Sequence, residues 1–314
     1  MDKNNTQKLI EFAYWQDPQG NEYPLFGGKR ALMSWQGFGM PDIDYLSDKG
    51  PNQHGRTVRD YRAQERTITL KQYERGCKRL DWWQNIGDLI DAIRPNRSST
   101  AVSGKLLIID PNNDEFEINA RILTGPDGNW DGAGSLVPTD ADESLKFLCP
   151  DPFWRNPTSD VVVFTITVTT SCLDRCLPGC IGGSGIINNS TDITYTGTWD
   201  GDQITINLFG PMVSPVIQNV TTGKTIKVGY TIAPLEVVSI SITPDQTTVA
   251  NNNGKNLIGT IQDVSDLVTF FLATKSDLTT TGVNTIRVTT SGATTASAIS
   301  IEYFTRFWAP FKPR

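Results

Sequence analysis

From Glu115 to Leu123 the chain reads EFEINARIL, with Phe116, Ile118, Ala120 and Ile122 on one side and Glu115, Glu117, Asn119 and Arg121 on the other. Strict alternation predicts a strand with one face in a core and one in water. Lys105 to Asp110, KLLIID, precedes it across the turn-forming residues PNND, and the two segments predict a β-hairpin. Glu65 to Tyr73 and Ser144 to Cys149 add two further strands. One segment changes period. Between about Cys77 and Arg94 apolar residues fall at Leu80, Trp83, Ile86, Ile90 and Ile93, the spacing of an amphipathic helix. Asp81, Asp88 and Asp91 occupy its other faces, Arg94 suits its last turn, and Pro95 stops it. At ~1.5 Å per residue it is about 27 Å long, enough to cross a sheet, and its Trp83 stripe is expected to pack there.

Beyond residue 155 the helical period is gone. Short Thr, Val and Ile segments begin at Val161, Asp192, Gln203, Lys224, Glu236, Asn284 and Ser297, with turn clusters such as Asn251 to Gly254 between them. β-branched residues at period two describe an all-β sandwich or barrel. Composition shifts at the same place: up to Arg155 there are 7 threonines, 19 basic and 23 acidic residues, and after it 29, 9 and 11. Pro150, Pro152 and Pro157 crowd the junction. At roughly 150 residues per domain, a chain of 314 reads as two domains, 1–155 and 156–314. The fold class is mainly β, with two β-sandwich-type domains and a single helix, about 77–94, packed in the first.

Charge narrows the function. The 28 Lys and Arg against 34 Asp and Glu leave a net charge of −6, without the basic excess that nucleic acid or an anionic membrane would attract. The single histidine, His54, cannot supply a two-histidine metal site. No segment reaches the ~20 apolar residues of a membrane span, and the opening MDKNNTQKLIEFAYW has no secretion-signal pattern. The expectation is a protein made in the cytoplasm, with neither membrane insertion nor sequence-specific nucleic acid as a partner. Five cysteines, an odd number at low density, do not form an obligatory disulfide framework.

Candidate chemistry is sparse. Cys172, Cys176 and Cys180 are spaced C-x3-C-x3-C, but a fourth zinc ligand would have to come from distant Cys149, Cys77 or His54; a loop disulfide is an alternative, and small loop residues without a special role are preferred. Asp200 with Asp202, and Asp110 with Asp114 and Glu115, could pair as glycosidase carboxylates or hold calcium, yet both groups sit where turns are expected and read as solvated turn residues. The glycines at Gly182 to Gly185 lack the Lys-Ser or Lys-Thr of a phosphate loop. Arg56, Arg59, Arg62 and Arg66 form a basic run diluted by Asp60 and Glu65, better suited to salt bridges between chains than to phosphate contacts. Of eight tryptophans most should supply core area. No catalytic residue, metal ligand or cofactor site is assembled, so the protein is read as a non-enzyme without a cofactor.

Two stretches carry family information. GNEYPLFGG (Gly20 to Gly28) and GFGMPDIDYLSDKGPNQHGRTVRDYRAQERTITL (Gly37 to Leu70), closed by LKFLCPDPFWR (Leu145 to Arg155), resemble the N-terminal domain of phage distal tail proteins. LFGPMVSPVIQNVTTGKTIKV (Leu208 to Val228) is similar to that family's C-terminal domain, through Gly210, Pro211, Pro215, Ile217, Asn219 and the turn Thr221, Thr222, Gly223, Lys224. The resemblance implies a β-sandwich with one helix and a protruding hairpin or arm, assembled as a hexameric ring at a siphophage tail tip. That ring joins the tail tube protein to the tail-tip hub protein. The C-terminal domain, galectin-like or jelly-roll, would project outward and sometimes bind a receptor-binding protein. Residues Cys172 to Gly185 look like an insertion in this pattern, and the histidine and clustered polar residues of galectin sugar sites do not carry over.

The segment from about Met40 to Arg62 reads as a long loop with Gly50, Pro51 and Gly55 and a dense charge pattern, of the length that is ordinarily functional. It is expected to reach a neighbouring subunit through Asp48, Lys49, Pro51, Gln53, His54, Arg56, Arg59 and Arg62. The runner-up is an adhesin or baseplate accessory gripping a host-envelope glycan through the second domain, with Trp199 or Trp308 as an outward-facing aromatic. A hydrolase using Asp200 and Asp202 is the third reading.

Overall fold

The computed structural model describes residues 12–27, 30–75, 78–95, 103–126, 140–165, 187–243, 246–275 and 281–312. Cys77, Cys172, Cys176, Cys180 and the glycines at 182–185 lie outside the described residues. Two units divide the chain: Met1–Pro157 with Phe307–Arg314, and Thr158–Arg306.

The first unit runs β1 (Phe12–Gln16), β2 (Glu22–Pro24), β3 (Arg30–Gln36), β4 (Ile43–Asp48), β5 (Thr57–Ala63), β6 (Arg66–Arg75), α1 (Arg79–Ile93), β7 (Gly104–Ile109), β8 (Glu115–Thr124), β9 (Asp140–Cys149) and β10 (Trp154–Arg155). Its strands pair antiparallel in the order β2-β1-β7-β8-β9-β6-β3. The predicted hairpin is present, Gly104 opposite Ala120 and Ile109 opposite Glu115, and Asp110 closes its turn by accepting the amides of Asn112 (2.9 Å) and Asp114 (2.8 Å). Strand β8 serves two neighbours. Up to Ala120 it pairs with β7, and from Arg121 it pairs with β9 across a register shift between Ile122 and Thr124. A bulge lets a strand bend from one layer to the next, and residues of both layers, Leu106, Ile108 and Ile118 with Ile68, Leu145 and Phe147, share one core.

Two sequence expectations are corrected here. Glu117, expected in water, is 2% exposed and carries ion pairs to Arg155 (2.7 Å) and Lys105 (3.0 Å); β10 adds beside β8 with Arg155 opposite Glu117, which puts the two side chains on the same face. The helix buries Trp82, Ile86, Leu89 and Ile93, while Leu80, Trp83 and Ile90 are 65%, 45% and 47% exposed. Apolar residues span a wider arc of α1 than one sheet can cover, and positions i, i+4, i+7 and i+11 make the straighter stripe. Trp15 fixes this rotation by donating its indole N–H to the Ala92 carbonyl at 3.0 Å. The helix ends at Ile93, because Arg94 precedes Pro95 and is held extended at ψ 135°.

The second unit contains β11 (Asp160–Thr165), β12 (Ile187–Thr194), β13 (Ile204–Phe209), β14 (Met212–Asn219), β15 (Lys224–Lys227), β16 (Thr231–Ile232), β17 (Val237–Ile242), β18 (Thr247–Asn251), β19 (Val283–Ser291) and β20 (Ala298–Tyr303). They form two antiparallel five-stranded sheets, β11-β20-β13-β17-β18 and β12-β19-β14-β15 with β16 beside β14. Ile204, Ile206, Ile240 and Ile301 of the first sheet and Ile193, Ile217, Ile286 and Val288 of the second belong to one core, which makes this unit a β-sandwich.

Candidate assembly arm

The stretch expected to be a long loop is a two-stranded ribbon. Among the described residues β4 and β5 pair only with each other, Ile43 opposite Ala63, Tyr45 opposite Tyr61 and Asp48 opposite Thr57, with a register shift between Leu46 and Ser47. Alternation did not announce these strands because neither face is buried: Tyr45 is 60% exposed, Val58 56% and Tyr61 48%. The tip is closed by Gln53, whose side-chain carbonyl accepts the Gly50 amide at 3.0 Å and whose amide nitrogen donates to Thr57 Oγ1 at 2.6 Å. Arg59 pairs with Asp48 at 2.5 Å on the open surface. The structure therefore places Asp48 at the end of β4, Lys49, Pro51, Gln53, His54 and Arg56 in the tip, and Arg59 and Arg62 on β5, all on one projection of the backbone.

The sequence grouped Arg66 with these arginines, and the structure separates it. Its guanidinium is buried at the root of the ribbon, donating to the carbonyls of Gly37 (3.0 Å), Phe38 (3.3 Å), Gly39 (2.8 Å) and Trp308 (2.8 Å). Burial pulls its pKa down to about 10, still far above neutrality, so it remains a cation. Nearby Cys149 is pushed up to about 12 by its own burial. Gly37 is indispensable to this lock: its φ is +86°, and a Cβ there would lie 2.2 Å from the Thr67 carbonyl oxygen. The sequence signal for the lock was present in Gly37-Phe38-Gly39, but nothing in the local pattern connects it to an arginine 27 positions later.

No protein family and no curated protein matches the chain by sequence. Among solved structures, the Dit (gp 19.1) protein of phage SPP1 matches over 94% of this chain and 98% of its own, with a TM-score of 0.59 and 13% identity. This is the fold of a phage distal tail protein. Two chains from the activated baseplate of phage p2, with Sr and with Ca, align over 93% of this chain and 97% of theirs at 10% identity, with TM-scores of 0.47 and 0.48. The SPP1 protein is described as a paradigm of the hub adsorption apparatus in phages that infect Gram-positive bacteria.

Within this distal tail fold the remaining candidates are placed as follows. Trp308 is half-buried, edge-on to Phe153 with ring centroids 5.1 Å apart. Trp199 is also half-buried and lines a cleft of about 300 Å³ in the second unit. Asp202 forms an ion pair with buried Arg306, and Asp200 accepts the Thr274 amide at 3.0 Å. Burial raises the pKa of Asp200. Asp114 pairs with Lys312 at 2.6 Å. Among the described residues no group of three or more His, Cys, Asp or Glu is placed to hold a metal ion.

Proposed function

We propose that the chain is a structural protein of a phage tail tip, incorporated into the virion after synthesis in the host cytoplasm. Six copies form a ring between the tail tube protein and the tail-tip hub protein, and the Thr158–Arg306 unit is the attachment side, facing a receptor-binding protein or the host surface. The observation that carries this reading is the β4–β5 ribbon. An isolated two-stranded ribbon is marginal in water, and exposed Tyr45, Leu46, Val58 and Tyr61 on it are apolar area that a neighbouring copy can bury. Cyclic assembly requires one patch to meet a different patch on the next copy, and a projecting ribbon on a chain with the distal tail fold fits that need. Each copy contributes a charge of −6, so a ring of them repels passing DNA rather than retaining it. Negative-stain microscopy and mass photometry of the purified chain test the reading. Six-fold rings with a central hole are expected, and deletion of Ser47 to Gly55 should leave folded monomers. Monomers of the intact chain across the concentration range, or rings unchanged by the deletion, would overturn it.

A further inference from the structure

The cleft beside Trp199 is a built feature of the second unit. One wall is the turn after β12, where Tyr195 is packed so closely that a Cβ at Gly197 or Gly201 would lie 2.6 or 2.8 Å from its ring. Its hydroxyl donates to the Trp199 carbonyl and accepts the Arg306 amide, both at 2.9 Å. The other wall, Gln262 to Lys275, has almost no regular structure and yet is clamped from below. Buried Asn219 donates to the Phe271 carbonyl at 2.8 Å, and buried Asn284 accepts the Ala273 amide at 2.8 Å while donating to its carbonyl at 2.9 Å. Asp266 accepts the Thr225 amide at 3.0 Å and Lys224 at 3.2 Å. The Thr274 amide donating to Asp200 Oδ1 ties the two walls together, and Oδ2 of Asp200 has no partner among the described residues. A loop held by buried amides while it presents Val268 at 78% exposure is preorganised for something outside the fold.

The lining restricts what that is. Trp199, Val268 and Phe271 supply an apolar surface and Asp200 an acceptor, while Lys224 donates to Thr269 Oγ1 at 3.2 Å and both are bonded to Asp266. A volume of about 300 Å³ is at the small end of ligand sites, and its polar residues disfavour an acyl chain. An anion would face Asp200 and Asp202, with Lys224 already held by Asp266. An organic cation would meet Lys224 within the cleft and Arg306 beside it, and Asp202 is taken by Arg306. What fits is an uncharged, hydroxyl-rich ring, whose C–H face lies on an indole and whose hydroxyls donate to a carboxylate oxygen.

We propose that the cleft between Trp199 and Phe271 is a binding site for a neutral saccharide of one or two rings. The site is built wholly from residues of the second unit and needs no ring to work. Saturation-transfer NMR on the full-length chain, with the methyl glycosides of glucose, galactose, mannose and N-acetylglucosamine at millimolar concentration as probes, reads it directly. Transfer to at least one glycoside is expected, with affinity about tenfold weaker or lost in Trp199→Ala and reduced in Asp200→Asn. Trp199 is half-buried, so Thr269→Tyr, which fills the cleft from its exposed rim, is the second variant and should abolish transfer while the melting curve stays unchanged. No transfer from any of these glycosides, or transfer untouched by Thr269→Tyr, overturns the site. Ring formation scored on the same preparations separates the two readings: rings without transfer sink the saccharide site alone, and transfer without rings sinks the connector alone.

Discussion

At the scale of single residues, Arg66 shows how strongly burial separates neighbours that look alike in sequence. Arg59 and Arg66 are both in the basic run, but the first pairs with Asp48 at the surface and the second satisfies four buried or partly buried carbonyls. Arg66→Ala should therefore destabilise the first unit by about 3 kcal/mol, since it strands those carbonyls, whereas Arg59→Ala should change monomer stability by less than about 1 kcal/mol. Urea midpoints of the two variants, measured under conditions that keep the chain monomeric, check the contrast. Glycine gives a parallel pair. Gly37 and Gly55 both have φ above +80°, but a Cβ at Gly55 meets nothing within 4 Å. Gly55→Ala should cost about 1–2 kcal/mol, the backbone penalty alone, and Gly37→Ala measurably more. Asp200 titrates in the opposite sense to a salt-bridged carboxylate. Burial raises its pKa, so the folded state binds the proton more tightly than the unfolded state. Stability then falls as pH rises from the ordinary aspartate value, near about 4, through the raised one. Asp200→Asn should flatten that limb of the pH–stability profile measured by thermal melts.

At the scale of elements, legibility in sequence followed contrast between faces. β7 and β8 were readable because one side is core and the turn residues PNND stand between them. β4 and β5 were not, since a ribbon with both faces in water has no alternation to show, and only its family resemblance pointed to an arm. The helix was readable as a helix but not in its rotation, because Trp82 and Trp83 are adjacent and either stripe is apolar enough to be buried. The structure makes that choice testable: Trp82→Ala should cost about 3–5 kcal/mol through the cavity it leaves, and Trp83→Ala about 1 kcal/mol or less, in chemical denaturation.

At the scale of the whole molecule, the chain does not spend its last residues where its preceding strands are. After Arg306 it returns to the first unit, where Phe307 is 1% exposed and edge-on to Phe116 at 5.3 Å, and the Trp308 carbonyl receives Arg66. Ending the chain at Arg306 should lower the stability of the first unit while leaving the sandwich of the second intact, which domain-resolved hydrogen exchange would show as lost protection around Phe116 and Arg66. The arm is rooted in that same place, so the truncated chain should also form rings poorly.

What the amino-acid order determined by itself was local: which segments alternate, where helix α1 lies, where charge thins and threonine accumulates, and a resemblance dispersed over short motifs. These are properties of neighbours within a few positions, set by side-chain period and turn chemistry. What only the tertiary structure decided was which apolar face is covered, which arginine is buried, that the stretch from Phe307 closes on the first unit, and that Trp199 shares a cleft with a loop some seventy positions away. Those outcomes depend on desolvation and on contacts distant in sequence, and a linear pattern carries no information about which surfaces will meet.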